Sequence, residues 1–137
     1  MNFKVLEKKY KEKTKDYVIR NMIHNIIFLN LEPGEKISEN QISEILDLSR
    51  TPVREAFTNL KSGMLIDVKP QIGTFISYLN IEMCKELLFL RSSLEEKAVI
   101  EVCKKDNLDN LESFNRIISA EKVLHKTDDI EALINLD

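Results

Sequence analysis

The strongest constraint on the fold is the stretch Val53–Leu60, whose apolar residues recur at i, i+3, i+4 and i+7. That spacing predicts a short helix that buries one face. A start signal precedes it, because Thr51 can cap the helix and Pro52 then occupies the first helical position, where a missing N–H costs nothing. Gly63 is expected to end the helix as its left-handed C′ residue.

The opposite face of this helix is basic and carries a hydroxyl group, because Arg54, Thr58 and Lys61 fall at i, i+4 and i+7. Arg50, next to Ser49, adds a second arginine within five residues of the helix start. A short helix with a buried stripe and a basic outer stripe suits the major groove of DNA, where arginines can contact base edges and phosphates together. An ordinary surface helix with solvated arginines is the alternative.

The segment before this helix favours the DNA interpretation. Residues 38–47 form a second short helical pattern that Ser38 can cap, with Gln41 three positions on as its capping-box partner. Asp47 stands where the connection to the next helix needs a left-handed residue. Two short helices joined by a tight turn predict a helix-turn-helix.

The segments on either side complete a recognisable order of elements. Two β-rich runs, residues 65–69 and 74–78, follow the helix and are separated by the turn signal Pro70–Gly73. Upstream, residues 16–29 predict a first helix from their apolar spacing. Helix, helix, turn, helix and hairpin predict a winged helix-turn-helix. The lysine-rich residues 4–15 either touch phosphates or form a solvated extension that precedes or begins the first helix.

The remainder of the chain has a wholly helical pattern. Apolar spacing predicts a long helix at 81–104, buried on one side, and two further helices at 107–124 and 128–137. The fold class is therefore mostly α. Residues 1–80 form a winged helix-turn-helix with three helices and a β-hairpin wing, and residues 81–137 form an incomplete all-α bundle.

Four motifs resemble the DNA-binding domain of GntR-family bacterial transcription regulators. They are Pro33–Glu35, Leu48–Ala56, Leu60–Leu65 and Pro70–Ile76. The motif Arg91–Glu95 resembles the start of the effector domain in the FadR-like branch of that family, and the whole resemblance covers about residues 15–137. It implies a sequence-specific regulator of transcription that binds double-stranded DNA.

The resemblance assigns roles to individual residues of the two short helices. Arg50 matches the base-reading arginine of the family, while Thr51 and Arg54 match contacts on the phosphate side. Asn40 stands where relatives often carry an arginine that reaches the DNA. An asparagine there can still hydrogen-bond a phosphate or an adenine edge.

The resemblance also extends to the wing. Gly73 matches the glycine that lets the hairpin tip approach the minor groove, and Gln71 stands where a basic residue is common, so the wing looks less electrostatic than in relatives. The predicted DNA-contact set is Arg50, Thr51, Arg54, Ser49, Asn40, Thr58, Gln71 and Gly73.

The effector half departs from the family. In the FadR-like branch, the resemblance implies a larger helical bundle that closes around a small carboxylate effector and, in many members, a metal held by an Asp and several His. Asp137, the last residue, is the one match to that ligand set, and Arg91 has no complete pocket to serve. We expect a natural truncation or a fragment, with no metal and no cofactor, and with an effector only in a full-length form.

Charge is divided unevenly between the two halves. Residues 1–80 carry 12 Lys/Arg and 10 Asp/Glu, whereas residues 81–137 carry 8 and 13. The basic share falls on the winged-helix half, as expected if that end meets phosphate. Cys84 and Cys103 lack metal-ligand spacing and are expected to be buried free thiols. No stretch predicts a signal peptide or a membrane span, so we expect a soluble cytoplasmic protein.

Three classes of function compete. A sequence-specific regulator fits best. It is expected to be a homodimer on a palindromic operator, because apolar stripes on an incomplete bundle favour self-association, with Leu87, Leu90 and Leu94 as candidate contacts. The alternative is a winged helix used for protein contacts, or a sensor-less dominant-negative partner without effector response. An enzyme is not expected, because no catalytic constellation occurs among 3 Gly and 2 His.

Overall fold

The computed structural model describes residues 2–104 and 111–127. Its elements follow in the order α1 (Thr14–Ile27), β1 (Lys36–Ile37), α2 (Glu39–Ile45), α3 (Arg50–Ser62), β2 (Ile66–Lys69), β3 (Gly73–Ile76), α4 (Ile81–Cys103) and α5 (Leu111–Thr127). The predicted fold, mostly helical with a small sheet, is confirmed. The chain divides into two compact units, Met1–Ile81 and Glu82–Asp137.

One hydrophobic core holds the first unit together. Helix α3 buries the face that its apolar spacing predicts, through Val53, Ala56, Phe57 and Leu60. The other elements cover that face with buried side chains of their own: Val18, Met22, Leu31, Ile37, Ile42, Ile66 and Ile76. Full burial of one large apolar side chain contributes roughly 1.5–3 kcal/mol. The core therefore fixes the inner face of α3 and leaves its opposite face outward.

The sheet has three antiparallel strands in the order β1-β3-β2. The predicted hairpin is confirmed, although β2 and β3 have only four residues each. Strand β1 corrects the prediction of a hairpin alone. It is two residues long and pairs with Thr74 and Phe75, far along the chain, so no local pattern could reveal it.

The start of α3 differs from the prediction. The helix begins at Arg50, and Ser49 is the N-cap residue, with φ −67°, ψ 158° and no side-chain cap hydrogen bond. Thr51 therefore lies inside the helix and is not its cap. Pro52 is the third helical residue, a position that tolerates proline because N–H groups of the first turn have no helical acceptor.

The end of α3 also corrects the prediction. Gly63 is the C-cap residue at φ −82°, and the left-handed residue is Met64 at φ 57°. The N–H of Met64 donates to the carbonyl of Lys61 (3.0 Å) and that of Leu65 to the carbonyl of Leu60 (2.9 Å). These are the paired bonds of a Schellman motif.

The predicted helix α2 and the turn after it are confirmed. Ser38 is the N-cap, and its Oγ accepts from the N–H of Gln41 at 3.2 Å. Asp47 has φ 51°, the left-handed conformation expected there. Ser43 fastens the turn, because its Oγ donates to the carbonyl of Leu48 at 2.6 Å and its own carbonyl accepts from the N–H of Leu48 at 2.9 Å.

Helix α1 begins and ends two residues before the predicted range 16–29. The residues ahead of it form neither helix nor strand and turn at residues 10–11. The backbone of Lys4 and Leu6 is hydrogen-bonded to the side chains of Asn25 and Asn21. We call residues 4–13 the N-terminal arm. It precedes α1 with its lysines exposed, as one predicted alternative states, but its backbone is hydrogen-bonded to α1. Residues 14 and 15 of the predicted stretch begin the helix.

In the second unit, α4 ends within one residue of its prediction. The prediction that one side of it is buried is wrong, because α4 has no buried residue in the described part of the chain. Cys84 and Cys103 are free, as predicted, but exposed where burial was predicted.

Helix α5 ends at Thr127, three residues beyond the predicted end of the middle helix. The predicted start of that helix at residue 107 and the predicted helix 128–137 lie outside the described residues. Within the two described ranges, no helix is long and apolar enough to cross a bilayer.

Candidate nucleic-acid interface

The outward face of α3 begins with residues predicted to touch DNA. Ser49, Arg50, Thr51 and Arg54 are all exposed, because the core takes the opposite face of the helix. The Arg50 side chain makes no hydrogen bond or ion pair with a described residue. Its guanidinium fork is therefore available for two parallel hydrogen bonds to a ligand.

Arg54 is oriented by Glu39, which the sequence analysis missed. The Nε of Arg54 donates to Oε2 of Glu39, the first residue of α2, at 3.2 Å. The Arg54 side chain is 71% exposed, and its terminal nitrogens donate to no described residue. An ion pair this exposed contributes only about 0–1 kcal/mol. Its consequence is orientation, since the terminal nitrogens stay available to a phosphate.

Two further predicted residues, Asn40 and Thr58, are also exposed on α2 and α3. Asn40 follows Glu39 in the first turn of α2. Thr58 lies one turn after Arg54, and its Oγ1 donates to the carbonyl of Arg54 at 3.0 Å. That bond uses the hydroxyl proton, so Thr58 offers a ligand only an acceptor in this conformation.

The wing depends on a glycine. Gly73 opens β3 at φ 146°, a conformation that favours glycine. A Cβ at this position would lie 2.6 Å from Cε of Lys36 and 3.3 Å from its Nζ. The missing side chain therefore leaves room for the side chain of Lys36 beside the hairpin turn. Gln71 is exposed in the hairpin turn at φ 62°.

Two lysines give the wing positive charge that the sequence analysis did not assign. Lys36 is in register with Phe75 and Lys69 with Gly73, so both lysines lie on the face of the sheet away from the core. Nζ of Lys69 lies 5.2 Å from the centroid of the Phe75 ring, a cation–π contact. Strand alternation could have indicated Lys69, whereas Lys36 belongs to the strand that the sequence does not reveal.

Arg91, predicted to border an effector pocket, is exposed on α4. Its Nε donates to Oε1 of Glu95 at 2.6 Å. The groove beside it, about 490 Å³, is lined by one helix alone through Leu87, Leu90, Arg91, Leu94 and Glu95. Because all the described residues that line this groove lie on one helix, they do not surround a small acid on all sides. The same residues contain no cluster of three His, Cys, Asp or Glu for a metal, and Asp137 lies outside them.

Comparison with known proteins agrees with this arrangement. Residues 14–76 match the sequence model described as bacterial regulatory proteins, gntR family. The chain is 31% identical over 78 residues to the HTH-type transcriptional repressor RspR of Escherichia coli (strain K12), a match that covers 57% of this chain and 34% of RspR. It is 31% identical over 119 residues to the HTH-type transcriptional regulator YdhC of Bacillus subtilis (strain 168), covering 84% of this chain and 51% of YdhC.

A solved structure gives the same fold. Escherichia coli McbR/YncC superimposes with a TM-score of 0.67 at 23% identity, over 91% of this chain and 59% of that one. The chain thus spans about a third of RspR and about half of YdhC. The family match runs from the first residue of α1 to the last residue of β3. Residues 14–76, the winged helix-turn-helix part of the chain, are therefore similar to the gntR family of bacterial regulatory proteins.

Proposed function

We propose that this protein is a sequence-specific transcription regulator that binds an operator in double-stranded DNA through the start of α3 and the wing. The observation that carries the proposal is the pair of exposed arginines, Arg50 and Arg54, inside the matched domain. Neither has all its donors occupied by the described residues, and both stand on a helix whose other face is fixed in the core.

The two arginines have different tasks. Arg50 reads a base by donating two hydrogen bonds to O6 and N7 of a guanine in the major groove. Arg54 binds a backbone phosphate through its terminal nitrogens while Glu39 holds its Nε, a contact that positions the protein without selecting sequence. Thr51 and Asn40 add polar contacts beside them. The wing approaches the adjacent minor groove, with its lysines near the phosphates.

The active form is a homodimer on a palindrome. Leu87, Leu90 and Leu94 form one apolar stripe along α4, and each is more than half exposed in the single chain. Removing apolar surface from water contributes about 25 cal/mol per Å², which favours pairing of such stripes. A two-fold dimer then presents two copies of α3 to half-sites about one helical turn apart.

The regulator belongs to the FadR-like branch. The motif Arg91–Glu95 supports this assignment. In that branch a longer form would take a small carboxylate effector, with Arg91 near its pocket. Action on DNA in a bacterial cell places the protein in the cytoplasm.

Selection from a pool of random duplexes tests the proposal. The chain should enrich one palindromic motif, and binding to that motif should weaken as salt rises, because phosphate contacts release counterions. A pool without enrichment, together with no salt-sensitive binding to any duplex, would instead favour a winged helix that contacts only protein, such as a sensor-less dominant-negative partner.

A further inference from the structure

The positive charge expected for DNA binding lies in front of the matched domain and not within it. Residues 14–76, the whole matched domain, carry 7 Lys/Arg and 8 Asp/Glu. The N-terminal arm, residues 4–13, carries five Lys and two Glu in only ten residues. DNA binding draws much of its free energy from the neutralisation of phosphates by lysine and arginine. The matched domain has no net positive charge to offer, whereas the arm does.

Two buried amides fix the backbone of the arm. Asn25 Oδ1 accepts from the N–H of Lys4 at 2.7 Å, and its Nδ2 donates to the carbonyl of Lys4 at 2.9 Å. Asn21 Oδ1 accepts from the N–H of Leu6 at 2.9 Å. Both asparagines are fully buried in α1. They bind the arm as a neighbouring strand would, and the hydroxyl of Tyr17 adds a bond to the carbonyl of Leu6 at 2.9 Å.

A second attachment, near the end of the arm, turns the carboxylate of Glu12 inward. Arg20 donates from Nε to Oε1 of Glu12 at 2.7 Å and from Nη2 to Oε2 at 2.8 Å. The side chain of Glu12 is only 11% exposed. These hydrogen bonds lower the pKa of the Glu12 carboxyl to about 2, so the pair stays charged at neutral pH. The lysines of the arm remain exposed around it.

We propose that the N-terminal arm is a second DNA-contact surface, a lysine-rich segment held on α1 that binds backbone phosphates of the duplex that α3 reads. This inference rests on the proposed function. The arm precedes the first residue of the family match, so it is an addition to the matched domain. Because its backbone is already ordered, its lysines lose less conformational entropy on binding than those of a disordered tail.

The chemistry of the arm fits phosphate better than a protein partner. Protein interfaces are depleted in lysine and depend on buried aromatic or arginine anchors. The arm's one exposed aromatic residue, Tyr10, already lies beneath the ammonium of Lys11, whose Nζ is 5.2 Å from the ring centroid. Lysine ammonium groups act as point charges, which suits contact with the phosphate backbone without selection of sequence.

The test uses the full chain with Lys9→Gln, Lys11→Gln and Lys13→Gln combined, the arm variant. None of these side chains makes a hydrogen bond or ion pair with a described residue, so the fold should be retained. Affinity for the selected duplex and for a scrambled duplex is measured against salt concentration. The log–log salt slope should become shallower by about 0.9 for each phosphate that the variant no longer neutralises, and by the same amount on both duplexes.

A control variant removes the same charge elsewhere, through Lys85→Gln, Lys97→Gln and Lys104→Gln on α4, and should keep the wild-type slope. The triple Lys→Arg change in the arm should also keep it, which would show that charge and not folding is responsible. If the arm variant has the slope of the control, the arm proposal is overturned, and the arm faces solvent or an acidic protein. If the wild type binds no duplex at all, the proposed function fails with it.

Discussion

Helices α3 and α4 start from the same kind of sequence pattern and end in different surroundings. Both repeat apolar residues at three- and four-residue spacing. In α3, Val53 and Leu60 are 0% and 2% exposed, whereas Leu90 and Leu94 in α4 are 55% and 63% exposed. Periodicity therefore identifies a face that must be covered, but other elements have to supply the cover. The winged-helix unit supplies its own, and the described part of the helical unit does not.

The largest difference between the two helices should appear in stability, when one leucine in each is truncated to alanine. Leu60→Ala leaves a cavity in a closed core and should destabilise the winged-helix unit by about 2–5 kcal/mol. Leu90→Ala, made on an exposed face, should change the same transition by less than about 0.5 kcal/mol. Urea unfolding of dilute protein, followed by circular dichroism, measures both. Equal destabilisation by the two changes would mean that α4 is covered within the single chain.

The exposed stripe of α4 should matter for assembly instead. Leu90→Glu places a charge in the proposed dimer contact and removes a large apolar side chain from it. We expect the dimer dissociation constant to rise roughly ten- to a hundredfold, because about 1.5–3 kcal/mol of apolar burial disappears. Sedimentation equilibrium measures this, with Ser92→Glu as a control of equal charge away from the stripe. A wild-type chain that is monomeric at tens of micromolar would contradict the expectation.

The attachment of the arm gives the winged-helix unit a pH dependence. The folded pKa of Glu12, about 2, is below its ordinary value of 4.5, because Arg20 hydrogen-bonds the carboxylate. The ionised Glu12 carboxylate therefore contributes about 1–3 kcal/mol to the free energy of unfolding. This stabilisation is fully present above about pH 5 and is lost as the pH falls towards 2. Glu12→Gln should flatten the acid limb of the stability curve, and Glu7→Gln, whose exposed carboxylate pairs with no described residue, should leave it unchanged.

The features that the sequence predicted correctly are those with a local cause. Ser38 caps α2 because the residues it bonds lie within one turn, and Asp47 adopts the left-handed conformation that a tight connection demands. The end of α3 was misassigned for a related reason. A Schellman motif needs a left-handed residue, and Met64 accepts that conformation where the sequence offered Gly63 as the obvious choice.

The features that were missed have distant causes. Strand β1 exists only through its pairing with β3, so Lys36 could not be placed in the wing. Glu39 reaches Arg54 only because α2 packs against α3. The order of the arm depends on Asn21 and Asn25, which are poor helix formers at i, i+4 within α1. Two asparagines on one turn indicated that their side-chain amides bind a backbone segment. The sequence did not indicate which segment that is.

The outward face of α3 can be tested against exposed arginine elsewhere. Arg50→Ala should cost about 1–3 kcal/mol on the selected operator and relax the preference at one base position, because the two hydrogen bonds to guanine can no longer form. Arg116→Ala, which changes an exposed arginine on α5, should leave operator affinity unchanged. Competition binding with single-base variants of the operator measures the preference. If Arg50→Ala keeps the wild-type ratio of affinities for the preferred and scrambled duplexes, Arg50 does not read a base.

The smallest effect concerns Arg54, whose partner in the free protein is Glu39. If Arg54 binds a phosphate, Arg54→Ala should weaken all duplexes about equally and make the log–log salt slope shallower by about one unit. Arg54→Lys keeps the charge and removes only the fork, so it should keep the slope while lowering the affinity. A slope that stays the same in Arg54→Ala would mean that the arginine remains with Glu39 in the complex and serves only to join α2 to α3.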